Sequence, residues 1–171
     1  MAGVTNKDNS ERNSHIHHIQ FENSKLFPII IDEIEKGHTV KLNLRGISMR
    51  PFLEDRRDQA LLTKVGHPKV GDPILAEISP GHYVLHRIIK MEGNNVTLQG
   101  DGNLRPEYCT KDDFRAGVIG FYRKGRTTLD RTDGWKWRIY SWIWMPLRPV
   151  RRYPLSLHRR KWLKIFKPKR I

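Results

Sequence analysis

Cysteine is nearly absent. Cys109 is the single one in 171 residues, so no internal disulfide can form and the core must be held by packing. A lone thiol fits a reducing compartment. Long apolar runs are missing too. No stretch reaches the roughly 18 consecutive apolar residues of a membrane-spanning helix. Residues 1–20 lack the apolar segment of a secretory signal. Together these absences predict a cytoplasmic protein, at most peripheral on the inner face of a membrane. Acid is scarce relative to base: 18 Asp and Glu stand against 32 Lys and Arg, a net charge of +14. An excess of that size raises nucleic acid or an anionic membrane surface as partners.

The excess sits in one place. Over residues 131–171 thirteen Lys or Arg face one acid, Asp133, and the remaining chain is close to neutral. Trp135, Trp137, Trp142, Trp144 and Trp162 are interleaved with those cations. Tryptophan among basic residues is the composition of an interfacial membrane anchor. It also suits single-stranded nucleic acid, through stacking and phosphate contacts, though the lipid surface is the favoured partner. A third reading is a structural extension that covers the body with its aromatics. Short helices are predicted over 135–147 and 155–166.

The rest divides simply. Residues 1–20 form a polar leader. Its His15, His17 and His18 have no matching ligand pair nearby, so no metal is expected, and nothing implies an organic cofactor. A helix is predicted from Asn23 or Ser24 to Lys36, ended by Gly37, with Leu26, Ile30, Ile31 and Ile34 on its packed face and Pro28 in its first turn. Strands are predicted at Val40–Leu44, Gln59–Thr63, Pro73–Ile78, Tyr83–Lys90, Asn95–Gln99 and Gly117–Arg123, separated by Gly, Pro and Asn turns. The expected fold is mostly β (α+β), a compact bent or closed β structure over residues 21–128. An N-terminal helix precedes it and a basic helical extension, 129–171, follows.

Gly46-Ile47-Ser48-Met49-Arg50-Pro51 follows the first strand. Gly46 permits a sharp turn, and Pro51 biases Arg50 toward extended backbone. Ser48 thus stands just past a strand end, where a hydroxyl faces a cleft. Such a serine is a nucleophile only with a base and an orienting acceptor nearby. His86 lies in the apolar run Tyr83–Ile89, and Asp101 in the turn Gly100-Asp101-Gly102-Asn103. Singly, each is an ordinary turn or core residue.

Their order is less ordinary. Ser48-Met49-x-Pro51, then Gly71-Asp72-Pro73-Ile74-Leu75, then His86-Arg87-Ile88-Ile89-Lys90, then Gly100-Asp101-x-Asn103 resembles the serine-peptidase clan of type I signal peptidases and self-cleaving SOS and phage repressors. Histidine at the base position resembles that clan's endoplasmic-reticulum, archaeal and spore-former branch, in place of the lysine of classical bacterial members. The resemblance spans about residues 39–123. It implies a mostly-β peptidase fold and a serine endopeptidase acting on a protein or peptide substrate. Ser48 would be the nucleophile, His86 the base and Asp101 the orienting acid, with Glu107 the alternative and Asp112 and Asp113 further candidates. Backbone N–H groups around Ser48 would stabilise the oxyanion.

The chain also departs from the pattern. Many signal peptidases carry a hydroxyl two residues before the nucleophile, where Gly46 stands here. No membrane span or helix-turn-helix precedes the body. Ala116-Gly117 resembles a repressor self-cleavage dipeptide but follows the catalytic boxes, and is read as a strand start. The alternatives are an idle clan fold that binds a peptide or a membrane surface, and a nucleic-acid binder using the tail.

Overall fold

Helix α1 (Asn23–Glu35) opens the part of the chain, residues 23–156, that the computed structural model describes. Phe27, Ile30 and Ile34 recur at helical spacing and are buried, while Leu26 and Ile31 flank them. Pro28 falls one turn later than its sequence position suggested, inside the helix. Gly37 ends the helix with φ +91° and donates its N–H to the Ile34 carbonyl at 3.0 Å, a conformation that glycine adopts without strain.

Among the described residues eight strands follow: β1 (Val40–Asn43), β2 (Gln59–Thr63), β3 (Pro73–Ser79), β4 (His82–Glu92), β5 (Asn95–Gln99), β6 (Glu107–Thr110), β7 (Phe114–Tyr122) and β8 (Leu129–Arg131). They form one antiparallel sheet ordered β1-β2-β7-β3-β4-β5-β6, with β8 paired to β7. The sheet is open, so of the bent and closed forms expected the closed one is not adopted. Strand β7 is long enough to serve several neighbours: Gly117–Tyr122 pair with β2, and Phe114–Gly117 pair with β3.

Both faces of the central strands are covered. On β3, Leu75 joins a core with Phe27, Phe52, Phe121 and Trp137, whereas Ile74 and Ala76 face a second core with Ile88, Leu98 and Phe114. A strand buried on both faces reads as a continuous apolar run, and Pro73-Ile74-Leu75-Ala76 is such a run.

Helix α2 (Trp135–Trp144) returns to the body after β8. Trp137 and Trp144 are buried. The Trp137 ring packs edge-on to Phe52 at 4.9 Å and against Phe121 at 5.5 Å. This helix is thus part of the main core. Among the described residues no helix is long and apolar enough to cross a membrane. Strands β6 and β8 were not anticipated. The leader with its three histidines, and most of the helix expected over 155–166, lie outside the described residues.

Candidate active site

Strand β4 carries His86 and Arg87 side by side on opposite faces, and their surroundings separate their roles. His86 is 3 % exposed. Its Nδ1 lies 2.6 Å from Oε2 of Glu107 on β6. Strand β5 runs between β4 and β6, so the imidazole must reach past it. It does so where β5 has just ended, at Gly100. A Cβ there would stand 3.0 Å from His86 Nε2 and 2.4 Å from the Ser48 carbonyl oxygen. The missing side chain is what allows the ring and the serine loop to converge.

Glu107 is half-buried. The hydrogen bond from His86 holds its carboxyl below the usual carboxylate range; burial opposes this, and the nearby charges of His86 and His82 reinforce it. An ionised carboxylate only accepts hydrogen bonds. Nδ1 therefore donates, and in the neutral ring Nε2 keeps its lone pair, turned toward Gly100 and the Ser48 loop.

Ser48 lies on a loop that coils rather than staying extended as Pro51 suggested. Arg50 N–H donates to the Ile47 carbonyl at 3.1 Å and Leu53 N–H to that of Met49 at 3.0 Å. Burial explains the difference: Met49, Phe52 and Leu53 all enter the core, and consecutive turns are needed to bring them there. Asp58 anchors the loop's far end, accepting the N–H groups of Glu54 and Lys124 and the guanidinium of Arg57. Burial would raise its pKa, yet these donors together bring it below the usual value. The Gly46 N–H is occupied by Asp55 Oδ1 at 2.7 Å, so it contributes nothing to an oxyanion site.

Ser48 and His86 line one cavity of about 130 Å³ with Leu44, Met49, Tyr83 and Leu85. Among the described residues Ser48 Oγ makes no hydrogen bond to the imidazole. Apo sites often hold this pair loosely. The cavity continues, through Leu44, Arg45, Tyr83 and Leu85, into a larger groove of about 370 Å³ between α1 and β1.

Asp101 does not meet His86. Both its carboxylate oxygens accept from Arg87, Nε at 2.9 Å and Nη2 at 2.7 Å, and both residues are about 1 % exposed. The expectation that Asp101 orients the imidazole is corrected accordingly. Arg87 and His86 are neighbours on a strand and point to opposite faces, so an acid that serves one is turned from the other. Arg87 Nη1 also donates to the Gly71 carbonyl at 2.8 Å and to Ser141 Oγ at 2.6 Å, and the guanidinium lies 4.1 Å over the Trp137 ring. The Gly71-Asp72 box is likewise a brace. Gly71 N–H donates to the Ile88 carbonyl at 2.8 Å, and Ile88 N–H to that of Asp72 at 2.9 Å.

The Gly100-Asp101-Gly102 turn thus faces two ways. Its Asp side chain grips Arg87, while Gly102 N–H donates to the Ser48 carbonyl at 2.7 Å. A Cβ on Gly102 would come within 2.5 Å of the Ile47 carbonyl oxygen. The tail closes the back of this turn: Trp144 Nε1 donates to the Asp101 carbonyl at 3.2 Å, and buried Arg151 donates to the Asn103 carbonyl.

The other acids lie apart. Asp112 accepts from Asn94 at 2.8 Å, and Asp113 from the Thr110 N–H and hydroxyl. Asp113 is held below the usual range by that backbone N–H and then by the hydroxyl. Ala116-Gly117 lies inside β7, with Ala116 fully buried. No grouping of three or more His, Cys, Asp or Glu able to hold a metal occurs among the described residues. Sequence reasoning missed Arg87; its signal was a charged residue inside an apolar strand, which a buried position tolerates only when paired.

No protein-family model matches the chain, and no curated protein matches it significantly.

Proposed function

We propose that the chain is a serine endopeptidase, similar to the histidine-base branch of the signal-peptidase and repressor clan. Ser48 is the nucleophile, His86 the general base and Glu107 the acid that orients it. The observation that carries this reading is the 2.6 Å bond between His86 Nδ1 and Glu107, on a ring that shares a cavity with Ser48.

The chemistry follows from the tautomer. His86 Nε2 takes the Ser48 Oγ proton as Oγ bonds to the scissile carbonyl carbon. Backbone N–H groups at Ser48 stabilise the oxyanion. The C–N bond then breaks, and the imidazolium gives its proton to the leaving amine. Water, deprotonated by the same imidazole, releases the acyl group from Ser48. The substrate is a protein or peptide. The groove beside β1 supports this, because among the described residues β1 pairs only with β2, and an edge strand suits an extended chain.

A fluorophosphonate probe tests the reading. The full chain is expected to label at one site. Ser48→Ala is expected to abolish labelling, and His86→Ala to lower it strongly. A folded chain that fails to label at Ser48 would favour a second reading, an idle clan fold that binds a peptide in the groove. The absence of a Ser48 Oγ hydrogen bond to the imidazole is the observation on that side.

A further inference from the structure

Helix α2 has two apolar faces, and among the described residues only one is buried against the body. Trp137, Tyr140 and Trp144 point into the body. Trp135, Ile139, Trp142 and Ile143 point outward at spacings i, i+4, i+7 and i+8, a single helical stripe. Trp135 is 70 % exposed and Trp142 79 %, with the two isoleucines about half exposed. After the helix, Val150 and Tyr153 are exposed as well. Large side chains gathered in this way mark an interaction surface.

We infer that this outer face of α2 seats the protein on an anionic phospholipid surface. Charge complementarity selects that occupant. The stripe lies at the start of the segment in which thirteen Lys or Arg face one acid. Arg138 is exposed on the same helix, and exposed Arg152 lies beside Tyr153. Indoles and isoleucines at headgroup level, with exposed Arg138 on the same helix and a strongly basic stretch of sequence after it, match a bilayer interface whose lipids are acidic.

The other occupants fit less well. A second copy would bring two strongly cationic tails together. Single-stranded nucleic acid is bound by successive stacked rings, but here two of the four positions are aliphatic. The helix lies on the surface and does not enter as a span: its 10 residues cover about 15 Å, half of a hydrocarbon core of about 30 Å. This inference rests on the tail alone and is independent of the proposed peptidase chemistry.

The test uses the full chain with vesicles of phosphatidylcholine alone, or mixed 7:3 with phosphatidylglycerol, at low ionic strength. The protein is expected to sediment with the mixed vesicles and to stay in solution with the neutral ones. Lipids brominated near the headgroup are expected to quench its tryptophan fluorescence. Combining Trp135→Ser, Ile139→Ser, Trp142→Ser and Ile143→Ser should weaken binding by well over tenfold. Trp142→Ala, a change at an exposed site on which folding does not depend, should weaken it by roughly tenfold. The inference is overturned if neither vesicle binds, if the variants bind like the unaltered chain, if brominated lipid leaves the fluorescence unchanged, or if single-stranded RNA binds more tightly than the mixed vesicles.

Discussion

Both carboxylate oxygens of Asp101 are taken by Arg87, at 2.9 and 2.7 Å, in a site from which water is excluded. This bidentate pair is the rivet between the histidine strand, the turn that braces the serine loop, and helix α2. It also sets Asp101, the acid favoured from the sequence, apart from Glu107, the alternative, which meets His86.

Glu107→Gln and Asp101→Asn should therefore fail in different ways. Glu107→Gln leaves the fold intact, weakens control of the imidazole tautomer and is expected to lower kcat on the order of 10³-fold. Asp101→Asn leaves Arg87 buried beside a neutral partner. Breaking such a pair costs about 3–5 kcal/mol, so the melting temperature should fall by roughly 10 °C or more. Parallel thermal melts and steady-state kinetics decide. Loss of activity without loss of stability in Asp101→Asn would return the orienting role to Asp101.

Six of the eight described strands were legible in the sequence because alternation and turn residues are local signals. Gln59–Thr63 and Asn95–Gln99 form with the bounds expected. The partners of His86 and Arg87 were not legible. Which acid each meets depends on β5 ending at Gly100 and on β6 lying beyond it, and Glu107–Thr110 lacks the apolar–polar alternation that announces a strand. The inner face of α2 was hidden for a similar reason: Trp137 and Trp142 look alike until helical phase and the Phe52 and Phe121 rings separate them.

Gly100→Ala is a probe of site geometry. Its Cβ would meet the Ser48 carbonyl oxygen at 2.4 Å and the His86 ring at 3.0 Å, so the serine loop must move. A displacement of about 1 Å at a reacting group lowers rate by roughly 10². Fluorophosphonate labelling is expected to slow by about that factor, with a smaller effect on the melting temperature. Unchanged labelling would mean that the loop does not need this close seat.

Acid should weaken the fold in part through Glu107. Its folded pKa lies below the ordinary value of 4.5, chiefly because His86 donates to it. The stability it contributes is fully present above the unfolded pKa and is lost as pH falls through the lower, folded one. Urea midpoints taken from pH 7 to pH 3 should thus fall on acidification for the unaltered chain, and less steeply for Glu107→Gln. Other depressed carboxylates remain in both proteins, so the difference between the two curves reports the coupled Glu107–His86 pair. Superimposable curves would contradict the assignment.

Cys109 should be inert. Burial, then the charges of Asp113 and Glu107, push its pKa up to about 11, leaving about one thiolate per thousand molecules at pH 8. A thiol-specific chromogenic disulfide should react with it far more slowly than with a free thiol at pH 8, and fully after unfolding in urea. Rapid reaction of the native protein would show that the β6 strand opens readily.

Arg87 and Ser141 touch at 2.6 Å but are 54 residues apart in the chain. A ribosome adding about 5–20 residues per second delivers the second roughly 3–10 s after the first. Until then the guanidinium has neither the serine hydroxyl nor the Trp137 ring to cover it, and the Asp101 turn lacks its Trp144 donor. Ser48 and His86 are translated early, yet the α2 side chains that back Arg87 are translated late. The seat of Arg87 is thereby completed only once α2 has been made. A nascent chain halted before α2 would carry Ser48, His86 and Glu107 while lacking the Ser141 and Trp137 contacts that seat Arg87.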